Sequence, residues 1–508
     1  MYNLNNANTD TLSLNTETAV NLENAIFDAQ LFTQAAQLAI KLLETYLADT
    51  SIRGLALIEP QVLLARAKAL MTKQHLYINA LDTEKLSAMM VLLIKTGIQV
   101  HSSGYMGRQF SGVVPLAAVF DFICSVVNQP ASFYEAGQLP SVVERLMADE
   151  FNRFIGWQNN QFAMVTTSGG SLANLTALLA ARNAKYPQFW SKGSVAAGMR
   201  PAIALSEDVH YSIMRAIGIL GIGTEQIVRL PMNSARQIEI SKVATCLNEA
   251  VQQGLEVFCI VASAGTTSVG AFDALEDLAK IAAQWQCWLH VDGSHGASLL
   301  VSDKLRYKLA GIEQVDSFCL DAHKLLFVPA PCTLLFYKDK AKSYGAFEQQ
   351  ASYVFEQAED SYTEFDSAKQ NFECTKRPSI MNLWVLWALY GKALFADKIE
   401  YLCELSQAAY QVLNKTEDFE TLHLPESNIL CFRYCPANVF AGSSFDFQAM
   451  IRKQLRAEGR FFISKVEIDK RTALRVVFMN HRIELKHFCL LLDEIRQIGQ
   501  ALLKTYQS

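Results

Sequence analysis

The sequence predicts an α/β protein whose large domain holds a mainly parallel, seven-stranded sheet. A helical segment precedes this domain and a small α+β domain follows it. Three observations lead there. Seven short apolar runs alternate with helix-period stretches in the middle of the chain. The polar residues best suited to chemistry fall just after those runs. The first and last parts of the chain lack the alternation.

The runs are 162–167, 202–206, 227–230, 257–263, 287–291, 317–320 and 332–337, with helical stretches at 172–183, 210–220, 241–252 and 274–284. Strands that alternate with helices argue a parallel sheet covered on both faces. In such sheets ligands sit at the carboxyl ends of the strands. Upstream, residues 31–94 repeat apolar positions three and four apart, as in Phe32, Ala36, Ile40, Leu43 and Leu47, which predicts helices. Helices continue over 111–156, broken at Pro115, Pro130 and Pro140. Beyond Pro378 the pattern gives helices at 383–390 and 401–413, strands near 430–434 and 474–478, and a last helix from Glu484. The expected division is 1–110 as the helical segment, 111–377 as the large domain and 378–508 as the small domain.

Composition narrows the function. Net charge is −5, from 45 basic and 50 acidic residues, without a basic cluster, so nucleic acid is a poor partner. The most apolar stretches, near 89–100 and 383–396, are cut by Lys95 and Lys392, so no membrane span is expected. The first residues lack the basic start and apolar core of a signal peptide, and a cytoplasmic location is expected. Eleven cysteines without a CxxC pair read as reduced thiols, and no spacing supports a metal.

Lys324, in Ala322-His323-Lys324, carries the chemical reading. It lies 32 residues after Asp292, which ends the run Trp288-Leu289-His290-Val291. A lysine after one strand and an aspartate after another is the pair that a pyridoxal phosphate (PLP) enzyme needs. The amine forms a Schiff base with the cofactor aldehyde, and the carboxylate keeps the pyridine nitrogen protonated. Ser168-Gly169-Gly170-Ser171 joins a strand to a helix, where free amides suit a single phosphate; alone, it reads equally as a serine-capped turn. His210 opens the next helix and either stacks on a flat cofactor or caps the helix. The hydroxyls of Thr266 and Thr267 either position Asp292 or the phosphate, or satisfy their own turn.

With these blocks in order, from about His101 to the C-terminus, the chain resembles the group II PLP-dependent amino-acid decarboxylases. These include the glutamate, cysteine sulfinate, 2,4-diaminobutyrate and aromatic amino-acid enzymes. The resemblance is carried by residues 168–182, 206–212, 265–273, 288–292, 316–329 and 374–391. It implies fold type I architecture, PLP and a homodimer with sites near the subunit interface.

The resemblance also implies roles. Lys324 matches the Schiff-base lysine and His323 the histidine before it. Asp292 matches the partner of the pyridine nitrogen, and His210 the imidazole on the ring. Thr267 matches a threonine beneath that aspartate, and Gly170 and Ser171 match phosphate contacts. Arg475 matches a basic residue that binds the substrate carboxylate. Tyr362 matches a mobile-loop tyrosine that returns a proton to carbon. Three positions depart from the pattern: Ser294 stands against the ring face where alanine is usual, His295 replaces an aromatic residue, and Asp321 replaces an asparagine near the phosphate.

The implied reaction is decarboxylation of an L-amino acid, with a lean to glutamate, aspartate or cysteine sulfinate. The alternatives are a PLP-dependent transaminase, another carbon–carbon lyase, or decarboxylation coupled to oxidative deamination. A non-catalytic homologue would not need lysine, aspartate, histidine and arginine together.

Overall fold

The computed structural model describes residues 29–71, 81–193, 199–347, 363–437 and 446–507. Helices Ala29–Ala48, Pro60–Ala69 and Thr83–Ile94 come first. None of them fully buries a residue within this chain. The two-residue strands β1 (Leu55–Ala56) and β2 (Gly97–Ile98) pair antiparallel between them. Strands this short have no period to read, and the sequence does not announce them. Helices Pro115–Val127 and Gln138–Ile155 lead into the sheet.

The large sheet is made of β3 (Ala163–Thr167), β4 (Pro201–Leu205), β5 (Ile227–Arg229), β6 (Glu256–Ser263), β7 (Trp288–Asp292), β8 (Ser317–Asp321) and β9 (Thr333–Tyr337). Their order is β3-β9-β8-β7-β6-β4-β5. Neighbours from β5 through β8 run parallel, while β9 is antiparallel to both β3 and β8. All seven strands fall on the predicted runs. The reversal of β9 is new, because an apolar run carries no sign of direction.

Alternation divides each strand between two cores. Ala202, Ala204, Leu289, Val291, Phe318 and Leu320 face one side, and Ile203, Leu205, Trp288 and Cys319 the other. Ala173 and Ala177 of helix Gly170–Lys185 pack on the second side, while Leu278 of helix Leu275–Gln284 packs on the first. This parity positions the chemistry. His290 and Asp292, two residues apart, emerge on the side covered by helix Gly170–Lys185, as do Cys319 and Asp321.

Two helical stretches within Ile380–Leu413 meet at Gly391, whose φ of 63° and ψ of −169° interrupt the helix. The C-terminal sheet follows, with β10 (Phe419–Thr421), β11 (Ile429–Tyr434), β12 (Ser464–Ile468) and β13 (Arg471–Val477) antiparallel in the order β10-β11-β13-β12. Helix Leu485–Gln507 closes the chain. Among the described residues no helix is long and apolar enough to cross a membrane.

Candidate active site

At the carboxyl ends of β6, β7 and β8 the chain opens into a cleft of about 880 Å³. It is lined by Gly170, Ser171, His210, Thr267, Asp292, Ser294, His295, Asp321, His323, Lys324 and Arg475, among others. Residues from five strand-end loops and one strand of the small sheet therefore meet in one place. Of the predicted site residues, Tyr362 alone lies outside the described residues.

Asp292 is the most completely held. Its Oδ2 accepts from Asn174 Nδ2 at 3.0 Å, and its Oδ1 accepts from the Ser294 hydroxyl at 2.7 Å and amide at 3.2 Å. Burial alone would raise this carboxyl. The Ser294 hydroxyl and the positive charge of Lys324 outweigh burial, and the group stays below the usual carboxylate range. Asp292 thus remains an anion inside the protein. Asn174 in turn ties Asp292 to Ser212 Oγ at 3.0 Å and to His290 Nε2 at 3.0 Å. Burial pushes His290 down to about 4, so it is neutral at ordinary pH.

One expectation is corrected here. Thr267 lines the cleft but gives no hydrogen bond to Asp292; the support comes from Asn174 and Ser294. Ser294 lies in the cleft lining, with its Oγ donating to Asp292. Asn174 escaped the sequence reading because it is one polar residue on an apolar helix face, and its partners lie 38 to 145 positions away. Its only signal was that a buried amide in such a face needs partners.

Lys324 follows β8 in the short helix Ala322–Leu325. Its Nζ lies 2.8 Å from Asp321 Oδ2, and Thr333 Oγ1 donates to the other oxygen of that carboxylate. Burial opposes the ammonium charge, but Asp321 and then Asp292 outweigh it and hold the amine above its ordinary range. His323 Nε2 stands 3.7 Å from Asp321 Oδ2, with Nδ1 at 2.9 Å from the Cys332 carbonyl. Asp321 is therefore the lysine's counter-ion.

The phosphate turn begins at Gly169, with φ 115°, and opens helix Gly170–Lys185. Ser168 gives its amide and hydroxyl to Glu373. The amides of Gly170 and Ser171 donate to no described group and remain for an anion. A Cβ on Gly170 would come within 2.6 Å of Ser294 Oγ and 3.0 Å of Asp321 Oδ1, so only glycine leaves the cradle open. His210 takes the helix-cap reading. It caps helix Tyr211–Ile219 through Ser212, with Nδ1 2.8 Å from Ser212 Oγ, and its ring also lines the cleft. Burial, opposed by Asp292, keeps its pKa below the ordinary value.

Arg475, on β13, is 6% exposed. Its Nε donates to the Ser268 carbonyl at 3.0 Å and Nη1 to Ser464 Oγ at 3.0 Å, while Nη2 is buried without a partner. His295 Nε2 meets Asn428 Oδ1 at 2.7 Å, which joins the cleft to β11 of the small sheet. Burial pushes His295 down to about 3, and its Nδ1 has no partner among the described residues.

A lysine, a buried anionic aspartate, an anion turn and a cradle that a single Cβ would fill suit one flat, phosphorylated, aldehyde-bearing cofactor. Fold and site together define a PLP enzyme of fold type I. The pyridoxal-dependent decarboxylase conserved domain matches residues 67–435, and the chain belongs to that family. It is accordingly a carboxy-lyase that acts on an amino acid with pyridoxal phosphate.

Over 369 residues the chain is 28% identical to the L-aspartate decarboxylase dtxS4 of Metarhizium robertsii, covering 72% of this chain and 73% of that protein. Its fold is that of mouse CSAD (TM-score 0.84, 22% identity, 95% of this chain and 99% of that one). It is equally that of Oryza sativa TDC with PLP and tryptamine (TM-score 0.85, 20% identity, 94% and 99%).

Proposed function

We propose that this decarboxylase acts on an L-amino acid with an acidic side chain, namely glutamate, aspartate or cysteine sulfinate, as a cytoplasmic homodimer. The observation that carries the reading is the single cleft shared by Lys324, Asp292 and Arg475, with one buried guanidinium nitrogen still free to meet an acid. The likeness to an L-aspartate decarboxylase supports the acidic side chain.

Each residue has a definite task. Bound here, the cofactor supplies an electron-accepting ring conjugated to the substrate's amino group. Lys324 anchors it through its amine, whose charge Asp321 balances at 2.8 Å in the cofactor-free protein. Asp292, held ionised, keeps the proton on the ring nitrogen by charge pairing. Gly170 and Ser171 bind the phosphate, and His210 covers the ring. Arg475 holds the α-carboxylate through Nη2, so that the bond to be broken is fixed in direction rather than left to rotate. His323 or Tyr362 returns a proton to Cα.

The second copy is supported by apolar surface. Helix Pro115–Val127 buries only Ala117 fully and exposes Val119, Phe122, Ile123, Val126 and Val127. Helix Ala29–Ala48, which stacks Phe32 on Phe122, buries none of its residues. A patch of this extent calls for a partner. Eleven unpaired cysteines suit a reducing compartment. Boundaries at 110 and 377 complete the proposal.

The test incubates the purified protein and PLP with each proteinogenic and common non-proteinogenic amino acid and detects amines by mass. β-Alanine, γ-aminobutyrate or hypotaurine should dominate. An aromatic amine or diaminopropane as the main product would overturn the acidic reading.

A further inference from the structure

Asp292 ends a buried chain of hydrogen bonds in which each proton has one place. A carboxylate only accepts, so Asn174 must turn Nδ2 toward Asp292 Oδ2, 3.0 Å away. The second proton of Nδ2 then goes to Ser212 Oγ at 3.0 Å. Asn174 Oδ1 is left to accept, and it faces His290 Nε2 at 3.0 Å and Cys319 Sγ at 3.3 Å. All four hydrogen-bonding positions of this amide are thereby used.

Two branches leave Asn174. In the first, His290 carries its proton on Nε2. Its bare Nδ1 lies 2.9 Å from Ser317 Oγ, which accepts the Trp288 indole proton at 2.8 Å and gives its own to the ring. The second branch reaches the cleft. His210 Nδ1 lies 2.8 Å from Ser212 Oγ and 3.3 Å from the Ser212 amide nitrogen. An amide N–H only donates, so Nδ1 is an acceptor. Ser212, having received a proton from Asn174, donates its own to the same nitrogen. Burial keeps the His210 ring neutral, so its proton sits on Nε2, which bonds to no described residue. Asn174, Ser212, His290 and Ser317 are each at most 2% exposed, so bulk water cannot reverse the order.

We propose that Asn174 and Ser212 are positioning residues that hold His210 as an Nε2–H donor toward the cleft and couple it to the charge of Asp292. His210 then offers a proton there and not a lone pair, and it is not a base. The inference rests on the placement of His210 over the cofactor ring given above.

The test uses the PLP-loaded full chain with histidine labelled by the spin-active nitrogen isotope and read by NMR. The chain has nine histidines, and His210→Gln identifies the His210 signals by their loss. Near neutral pH the wild type should show a protonated Nε2 and a bare, hydrogen-bonded Nδ1. A proton on Nδ1, in the other tautomer or the imidazolium, overturns the proposal without any change to the network. Asn174→Asp is the second measurement. It keeps the amide's shape, cannot donate to Ser212, draws the Ser212 proton to itself and sets a second carboxylate against Asp292. The His210 Nδ1 signal should move toward that of an unbonded ring nitrogen. Loss of one hydrogen bond to a charged group should lower kcat about 10- to 100-fold, with KM within about threefold. Wild-type kcat and wild-type His210 signals in this variant overturn the coupling. Undiminished kcat in His210→Gln overturns the placement over the ring, and the proposal with it.

Discussion

Lys324→Ala is expected to abolish turnover, a loss of at least about 10⁴-fold, the scale on which removing a covalent catalytic group acts. The visible absorbance of the lysine-bound cofactor should vanish with it. The same change has a second consequence in the cofactor-free protein. Lys324 is the counter-ion of Asp321, which is itself buried, so alanine leaves a buried carboxylate unpaired. Breaking such a pair costs about 3 kcal/mol, whereas removing both charges is close to neutral. The double variant Lys324→Ala/Asp321→Asn should recover most of that stability in denaturant unfolding while remaining inactive. Activity in the single variant would remove Lys324 from the chemistry; equal stability of the single and double variants would show that the pair is not coupled as described.

Asp292→Asn is the second large effect. The amide has nearly the shape of the carboxylate but no charge, so it cannot retain a proton on the ring nitrogen. Loss of a preorganised charge at a reacting centre lowers kcat by on the order of 10²- to 10³-fold. The sign of the pH effect follows from the depressed pKa. Asp292 contributes stability above its unfolded value near 4, and that contribution is lost as pH falls through its lower folded value. The variant should therefore lose less stability on acidification than the wild type. Unchanged kcat in Asp292→Asn would leave Asp292 a structural acid only.

Much of this was legible in the chain because the responsible patterns are local. The seven apolar runs became seven strands, and two-residue parity carried His290, Asp292 and Asp321 to one side of the sheet. What stayed hidden depends on register between distant segments. Asn174 matters because it bridges β7 to helix Tyr211–Ile219, and nothing in its neighbours says so. Asn428, which holds His295, lies 133 residues away, just before β11 of the small sheet. Strands β10 and β12 were missed for another reason. One is three residues long, and the other alternates exposed and half-buried positions at a sheet edge, so neither forms an apolar run. Thr267 shows the opposite error: it lines the cleft but does not bond the aspartate, while a serine two residues beyond the aspartate does.

The stoichiometry of carbon dioxide against ammonia, per amino acid consumed, separates this reaction from its neighbours in PLP chemistry. With aspartate, glutamate or cysteine sulfinate, the wild type should release one CO₂ and one amine per substrate, with no ammonia and no oxygen uptake, and Lys324→Ala should release none. Ammonia equal to CO₂, or substrate consumed without CO₂, would contradict decarboxylation as the work of this site.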